Sequence, residues 1–122
     1  MRQRRRSNMT DGEIKVITPD SLLNETMKLH EEGWRLVQIC ARALKDGEGN
    51  EITYSFGDEL ILGNLRLTVK PDEPLNSISH IYPTAYFYEN EMHDLFGIDV
   101  QMMTVDFGGH FYKIGAETPF KK

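Results

Sequence analysis

The sequence predicts an α+β fold in which two helices pack on a mostly antiparallel sheet, in two layers, with an extended, irregular C-terminal tail. Two segments have the composition and spacing of helices, and three consecutive strand candidates lie between them, the last two of which alternate apolar and polar residues. The turns between these three segments are short, which favours antiparallel neighbours. A length of 122 residues fits one compact domain.

The first strand and the first helix follow from local signals. Ile14–Ile17 alternates briefly and reads as a strand. Thr18 and Pro19 then form a helix start, a hydroxyl cap followed by proline at the first helical position. The helix should run from about Pro19 to Glu32, and Gly33 should end it. Its inner arc is predicted to contain Leu22, Leu23, Thr26, Met27, Leu29 and His30.

The central segments predict three sheet strands. Trp34–Leu44 is the first, with Cys40 expected as a small core residue. Residues 46–50 have the composition of a hairpin turn. A second turn is expected near Gly57-Asp58 or Gly63-Asn64. The inward-facing positions of the two later strands are predicted to be Ile52, Tyr54, Phe56, Leu65, Leu67 and Val69.

The second helix carries the strongest functional signal. After a connector of little periodicity, Leu75–Tyr82, residues 85–96 are rich in aromatic and acidic side chains, with Thr84 as the expected cap and Gly97 at the end. A helix with apolar surface on more than one side packs on its own sheet and on a partner. Its acidic groups would lie at the interface rim, or would cap backbone N–H groups and receive arginines. The predicted partner interface is Tyr86, Tyr88, Glu89, Glu91, Asp94, Leu95, Phe96, Gly97 and Ile98.

The two ends of the chain differ from the body. Residues 1–12 are predicted to be a disordered basic tail, 13–100 the folded domain, and 101–122 an irregular C-terminal extension that packs on a partner. An alternative for the arginine-rich tail is an arm that binds anionic lipid headgroups or an acidic partner.

Composition and charge restrict the class of protein. Hydrophobic residues make up 39% and charged residues 27%, which is too apolar for a disordered chain. The net charge is −5, although much of the positive charge lies in the first six residues, so the body is distinctly acidic. This balance argues against nucleic-acid binding, because that affinity comes largely from Lys and Arg.

The single cysteine and the hydropathy restrict the bound groups and the cellular compartment that the chain can have. Cys40 alone allows no internal disulfide, structural zinc knuckle or four-thiolate iron–sulfur cluster. A lone thiol fits a reducing, cytoplasmic environment. No apolar run approaches the roughly 20 residues needed to cross a bilayer, and no apolar stretch of a signal peptide follows the arginines. We therefore expect a soluble chain.

Catalytic and metal-binding interpretations of the second helix are weaker. Glu89 and His93 stand four residues apart, a spacing that can hold a metal, but no third ligand accompanies them. The carboxylates of Glu89, Glu91 and Asp94 lie about 60–200° apart around the helix, so no two of them are set up as an acid–base pair. We predict no catalytic, cofactor-binding or metal-ligating residues. A free-standing metal- or carboxylate-dependent enzyme that uses Glu89 and His93 remains an alternative.

Residues 89–98 resemble a family signature. They read Glu-Asn-Glu-Met-His-Asp-Leu-Phe-Gly-Ile, similar to the Glu-Arg-Glu-x-x-Asp-Leu-Phe-Gly-Ile of the respiratory complex I 30-kDa subunit family. Tyr82–Tyr88 is similar to the segment that precedes this signature in the family. The resemblance covers roughly residues 14–100. Asn90 replaces the usual Arg, and the residues after Ile98 depart from the Gly-His-Pro of complex I members. With these departures and its short length, the chain is most similar to the short 30-kDa-like subunit of Ech-type membrane-bound energy-converting [NiFe] hydrogenases.

The resemblance implies an accessory subunit without intrinsic enzymatic activity. It would lie in the cytoplasmic arm of a membrane-bound energy-converting [NiFe] hydrogenase, peripheral to the membrane, and dock on the large catalytic subunit beside the small iron–sulfur subunit. The chain itself would carry no cofactor, and the [NiFe] centre and iron–sulfur clusters would belong to partner subunits. The alternative is the equivalent 30-kDa subunit of an NADH- or ferredoxin-linked quinone oxidoreductase.

Overall fold

A computed structural model of the chain confirms the α+β class. It describes residues 9–101 and, for the backbone alone, residues 104–107 and 110–113. A 3₁₀ turn at Pro19–Ser21 precedes the first helix. In chain order the elements are β1 (Glu13–Val16), α1 (Leu22–Glu31), β2 (Arg35–Ala43), β3 (Asn50–Asp58), β4 (Ile61–Val69), β5 (Leu75–Asn76), α2 (Ala85–Phe96), β6 (Val100–Gln101), β7 (Thr104–Phe107) and β8 (His110–Lys113).

The main sheet has four strands in the order β1-β4-β3-β2. Strands β2, β3 and β4 form the predicted antiparallel meander, and β1 adds to β4 in parallel. The hairpin between β3 and β4 turns at residues 59–60, close to the first of the two predicted positions, while Gly63-Asn64 lies inside β4. Two smaller pairs, β5 with β6 and β7 with β8, complete the described strands.

One face of the sheet forms the core. The six inward positions predicted for β3 and β4 are all buried. Helix α1 adds Leu22, Thr26 and Leu29, which recur every three to four residues. Met27 and His30, predicted for the same arc, are exposed, because only this narrower stripe of α1 packs inward. Gly33 ends the helix as predicted, in a left-handed conformation.

Strand β2 departs from strict alternation. The register between β2 and β3 shifts between Leu36 and Gln38, which is a β-bulge centred on Val37. Beyond the bulge, Ile39 is buried and Cys40 is exposed. The prediction that Cys40 belongs to the core was therefore wrong, because the extra residue moves it to the other face of the sheet.

The structure corrects part of the predicted tails. Met9 is buried in the core, where Gly63 leaves room for its thioether. The Gly12 amide donates to the Leu62 carbonyl at 2.7 Å, and an Asp11 carboxylate oxygen accepts from the Leu62 amide at 2.9 Å. Residues 9–12 are thus ordered on the sheet, whereas 1–8 lie outside the described residues.

The C-terminal segment contains a regular element. Strands β7 and β8 pair antiparallel, so residues 104–107 and 110–113 are not irregular. The remainder of the predicted extension lies outside the described residues. Among those that are described, no helix is long and apolar enough to cross a membrane.

Two buried tyrosines give a test of the core. The Tyr54 hydroxyl has no hydrogen-bond partner among the described residues, whereas the Tyr82 hydroxyl donates to the Trp34 carbonyl at 2.6 Å. A buried polar group without a partner costs free energy. We expect Tyr54→Phe to raise the free energy of unfolding by about 1 kcal/mol and Tyr82→Phe to lower it by about 1 kcal/mol, measured by urea unfolding. A loss of stability in Tyr54→Phe would contradict this assignment.

Candidate functional site

Helix α2 lies where the sequence predicts it, between Thr84 and Gly97. Its N-terminus differs in detail, because the Thr84 side chain makes no capping hydrogen bond. Instead the Ala85 amide donates to the Tyr82 carbonyl at 2.9 Å, which continues the preceding turn. At the other end Gly97 has a φ of 70°, and its amide donates to the His93 carbonyl at 3.0 Å. The predicted glycine end is confirmed.

The inner face of α2 combines apolar side chains with a carboxylate. Ala85, Glu89 and Met92 are buried at helical spacing. Leu95 and Phe96, which lie one turn after Met92, are exposed. A carboxylate therefore occupies the central position of the packed stripe.

Glu89 joins α2 to the connector before it. Ser77 Oγ donates to Glu89 Oε1 at 2.6 Å, and the Ile78 amide donates to Glu89 Oε2 at 2.8 Å. Ser79 Oγ lies 2.8 Å from Ser77 Oγ, which extends the chain of hydroxyls. Glu89 therefore caps a backbone N–H group, one of the two roles predicted for the acidic residues.

Two predicted interface residues are corrected by their burial. Glu89 is fully buried, and Ile98 is packed in the core. Neither side chain is available to a partner, because each contributes to the interior of this domain. Gly97 and the side chains of Glu91, Asp94, Leu95 and Phe96 are exposed, and those of Tyr86 and Tyr88 are half-buried; for these residues the interface stays a prediction.

Burial controls the protonation of Glu89. Removal from water raises the pKa of Glu89 to about 7, although its hydrogen bonds from Ser77 and Ile78 favour the charged form. Burial also raises the pKa of Tyr54 well above its usual value, and the nearby charge of Glu89 adds to this effect. The carboxyl group therefore changes its charge near neutral pH inside the core.

The exposed side of α2 is both apolar and acidic. We call the outer α2 surface the face made by Phe87, Asn90, Glu91, Asp94 and Leu95. Phe87 is 73% exposed and Leu95 is 69% exposed. The Tyr88 hydroxyl donates to the Val37 carbonyl at 3.1 Å, so the bulge of β2 holds the side of the helix. The apolar groups of this face are thus presented on a fixed element.

A groove of about 500 Å³ adjoins the C-terminal end of α2. Phe96, Gly97 and Asp99 form one wall, and residues 70–73 and the β2–β3 turn form the others. Its first wall begins at Phe96, the residue that follows Leu95 of the outer α2 surface along the chain.

The metal hypothesis gains no further ligand. Glu89 is engaged by Ser77 and Ile78, and His93 lies one helical turn away, half-buried. Within residues 9–101 no three His, Cys, Asp or Glu side chains come together in a way that could hold a metal ion. The chemistry visible on α2 is that of a contact surface with a buried carboxylate beneath it.

Comparisons with known proteins identify what the chain is similar to. The family model described as respiratory-chain NADH dehydrogenase, 30 Kd subunit, matches residues 16–110. No curated protein sequence matches the chain.

The fold is similar to that of a solved structure. It matches a chain of the membrane-bound sulfane sulfur reductase (MBS), an archaeal respiratory membrane complex, with a TM-score of 0.69 and 19% sequence identity. The match covers 93% of this chain and 65% of that chain, so this chain spans about two-thirds of the length of the protein it resembles. At this identity the likeness concerns the fold.

Proposed function

Because the chain belongs to the family of the respiratory-chain NADH dehydrogenase 30-kDa subunit, we propose that it is an accessory subunit of a membrane-bound, complex I-like assembly. In this role it has no catalytic activity of its own and lies peripherally on the cytoplasmic side. It docks on the large catalytic subunit. The [NiFe] centre or its counterpart and the iron–sulfur clusters belong to the partner subunits.

The outer α2 surface is the observation that carries this proposal. Phe87 and Leu95 lie about two turns apart on the free side of a helix that is already packed on its own sheet, and strongly exposed apolar groups that share one face mark an interaction site. Aromatic and aliphatic anchors surrounded by charged residues are typical of protein–protein interfaces. The similarity in fold to a chain of an archaeal respiratory membrane complex supports the same role.

Within this class we propose a membrane-bound energy-converting [NiFe] hydrogenase. The sequence after Ile98 continues Asp-Val-Gln-Met-Met, which departs from the Gly-His-Pro common in complex I members, and this departure favours a relative of complex I such as the Ech-type hydrogenase. The equivalent subunit of a quinone-reducing enzyme is the second candidate, favoured by the description of the matching family.

Purification from the native host tests both levels of the proposal. A tagged chain should bring down a large subunit and iron–sulfur proteins from the membrane fraction. A large subunit with a Cys-x-x-Cys pair near each end would support the hydrogenase, because those thiolates ligate nickel and iron, and a large subunit without them would support quinone reduction. Absence of nickel–iron and iron–sulfur proteins would overturn the accessory role.

Removal of the apolar anchors should weaken assembly. We expect Phe87→Ala with Leu95→Ala to lower the affinity for the complex about 30-fold, since two interface anchors contribute roughly 2 kcal/mol. The measurement is the amount of large subunit that co-purifies at matched expression. Val16→Ala with Leu60→Ala is the control, because these side chains are 76% and 90% exposed away from α2. Equal loss in both double variants would contradict a specific role of α2.

A further inference from the structure

The region around α2 has many acidic residues and no lysine or arginine. Between Lys70 and Lys113 the sequence contains no lysine or arginine, yet residues 71–101 contain six carboxylates. One of the six, Glu89, is buried, and the other five are exposed or half-buried. A surface made by this stretch therefore presents negative charge with no positive charge of its own.

The carboxylates stand beside the apolar anchors. Glu91 lies four residues after Phe87, and Asp94 and Leu95 follow at the next turn, so all four side chains share one face of α2. Glu91 has no ion pair among the described residues, and the only one of Asp94 is with His93 at 3.6 Å. Both carboxylates are exposed and available to a basic group from outside.

A groove at the C-terminal end of α2 is also acidic. Asp72, Glu73 and Asp99 line it together with Phe96, and Lys70 is the only basic residue on its walls among the described residues. The groove lies at the C-terminal end of α2, where the helix dipole is negative and favours cations. An aromatic ring beside carboxylates is a favourable place for a guanidinium or ammonium group.

We propose that the outer α2 surface and this groove bind a basic segment of a neighbouring protein subunit, with lysine or arginine side chains paired to Glu91, Asp94 and the groove carboxylates, and apolar side chains covering Phe87 and Leu95. This inference rests on the proposed function, because the neighbouring subunit is taken to belong to the same complex. Anionic lipid or nucleic acid would be repelled by the same carboxylates.

Two occupants from this chain fit the geometry less well. A second copy would place acidic groups against acidic groups. The arginines of residues 1–8 join the domain at Met9, which packs against Gly63 near the start of β4, whereas the groove is lined by Val69 at its other end. Six strand residues separate these ends by about 20 Å, so the tail would have to run nearly extended to bring its arginines to the groove, at a cost in chain entropy.

Charge reversal in the native complex tests the proposal. Glu91→Lys with Asp94→Lys should lower the fraction of chain retained in the purified complex at least about tenfold, and wild-type retention should fall as salt rises. Asp20→Lys with Glu31→Lys on the α1 side gives the same change in net charge and should leave retention unchanged. All four residues are exposed, and thermal unfolding would confirm that both variants fold. Equal retention of the two variants would overturn the proposal.

Carbodiimide cross-linking identifies the occupant, because it joins a carboxylate to a lysine amine in contact with it. Links from Glu91 or Asp94 to a lysine of another subunit would support the proposal. Links to Lys121 or Lys122, or to a second copy, would overturn it. These outcomes presuppose that the tagged wild-type chain brings down its partners. If it brings down none, the proposed function itself has failed, which is a different result.

Discussion

Glu89→Ala should lower the free energy of unfolding by about 4 kcal/mol, the largest effect expected of any single substitution on α2. The change removes both acceptors that hold the connector to the helix. The Ile78 amide is then left buried without this partner, which costs about 1–3 kcal/mol, while the Ser77 hydroxyl loses one hydrogen bond and keeps its contact with Ser79. The cavity left by the missing side chain adds to the loss.

Two variants make this expectation specific. Glu89→Gln keeps the shape: its amide oxygen can accept from the Ile78 amide while its NH₂ group donates to Ser77 Oγ, which then donates onward to Ser79. It should therefore unfold close to wild type in urea at about pH 5, where both side chains are neutral. Glu91→Ala, on the exposed face of α2, should change stability by less than about 0.5 kcal/mol. A small effect of Glu89→Ala would show that the connector does not depend on this carboxyl group.

The burial of Glu89 also explains which parts of the site the sequence could not reveal. The bounds of α2 were predictable, because Gly97 marks the end of the helix with a local signal that needs no tertiary information. The inward face of α2 was not predictable, because a glutamate in a helix is usually exposed to solvent. The burial of Glu89 is stabilised by hydrogen bonds from Ser77 and Ile78, which lie more than ten residues earlier in the sequence. The one available hint was the expectation that an acidic residue would cap backbone N–H groups.

A similar limit applies to the sheet. The alternation of β3 and β4 was read correctly, since both strands are regular over nine residues. In β2 a single extra residue at Val37 reversed every later side chain, and no residue type announces a bulge there. The connector Leu75–Tyr82 has no period, yet it contains Leu75, Ile78 and Ile81 as core residues because α2 and β6 fold over it. Non-periodic segments packed by distant elements carry no local signal.

The C-terminal hairpin was missed for another reason. Gly108-Gly109 between two short alternating segments is a hairpin signal that the sequence displays. Isolated apolar residues around it were instead interpreted as an irregular segment on a partner. The docking residues on the exposed side of α2 stay a prediction, and the structure confirms that they are exposed.

Stability should fall as the pH rises through the range in which Glu89 titrates. The pKa of Glu89 is about 7 in the folded chain and has its ordinary value of 4.5 in the unfolded chain. Between these values the folded chain holds a proton that the unfolded chain has released, so raising the pH favours unfolding. The stabilisation is fully present below about pH 4.5 and is lost through about pH 7, a difference of about 3 kcal/mol.

Comparison with Glu89→Gln separates this effect from all other titrations. The amide does not ionise, so the variant should match wild type at about pH 4.5 and exceed it by about 3 kcal/mol at about pH 8, measured by urea unfolding at both values. If the difference between the two proteins were the same at both pH values, folding would not raise the pKa of Glu89, and its hydrogen bonds from Ser77 and Ile78 would offset the cost of burying its charge. The opposite result follows from desolvation, because two hydrogen bonds do not replace the water that a carboxylate loses in a fully buried position.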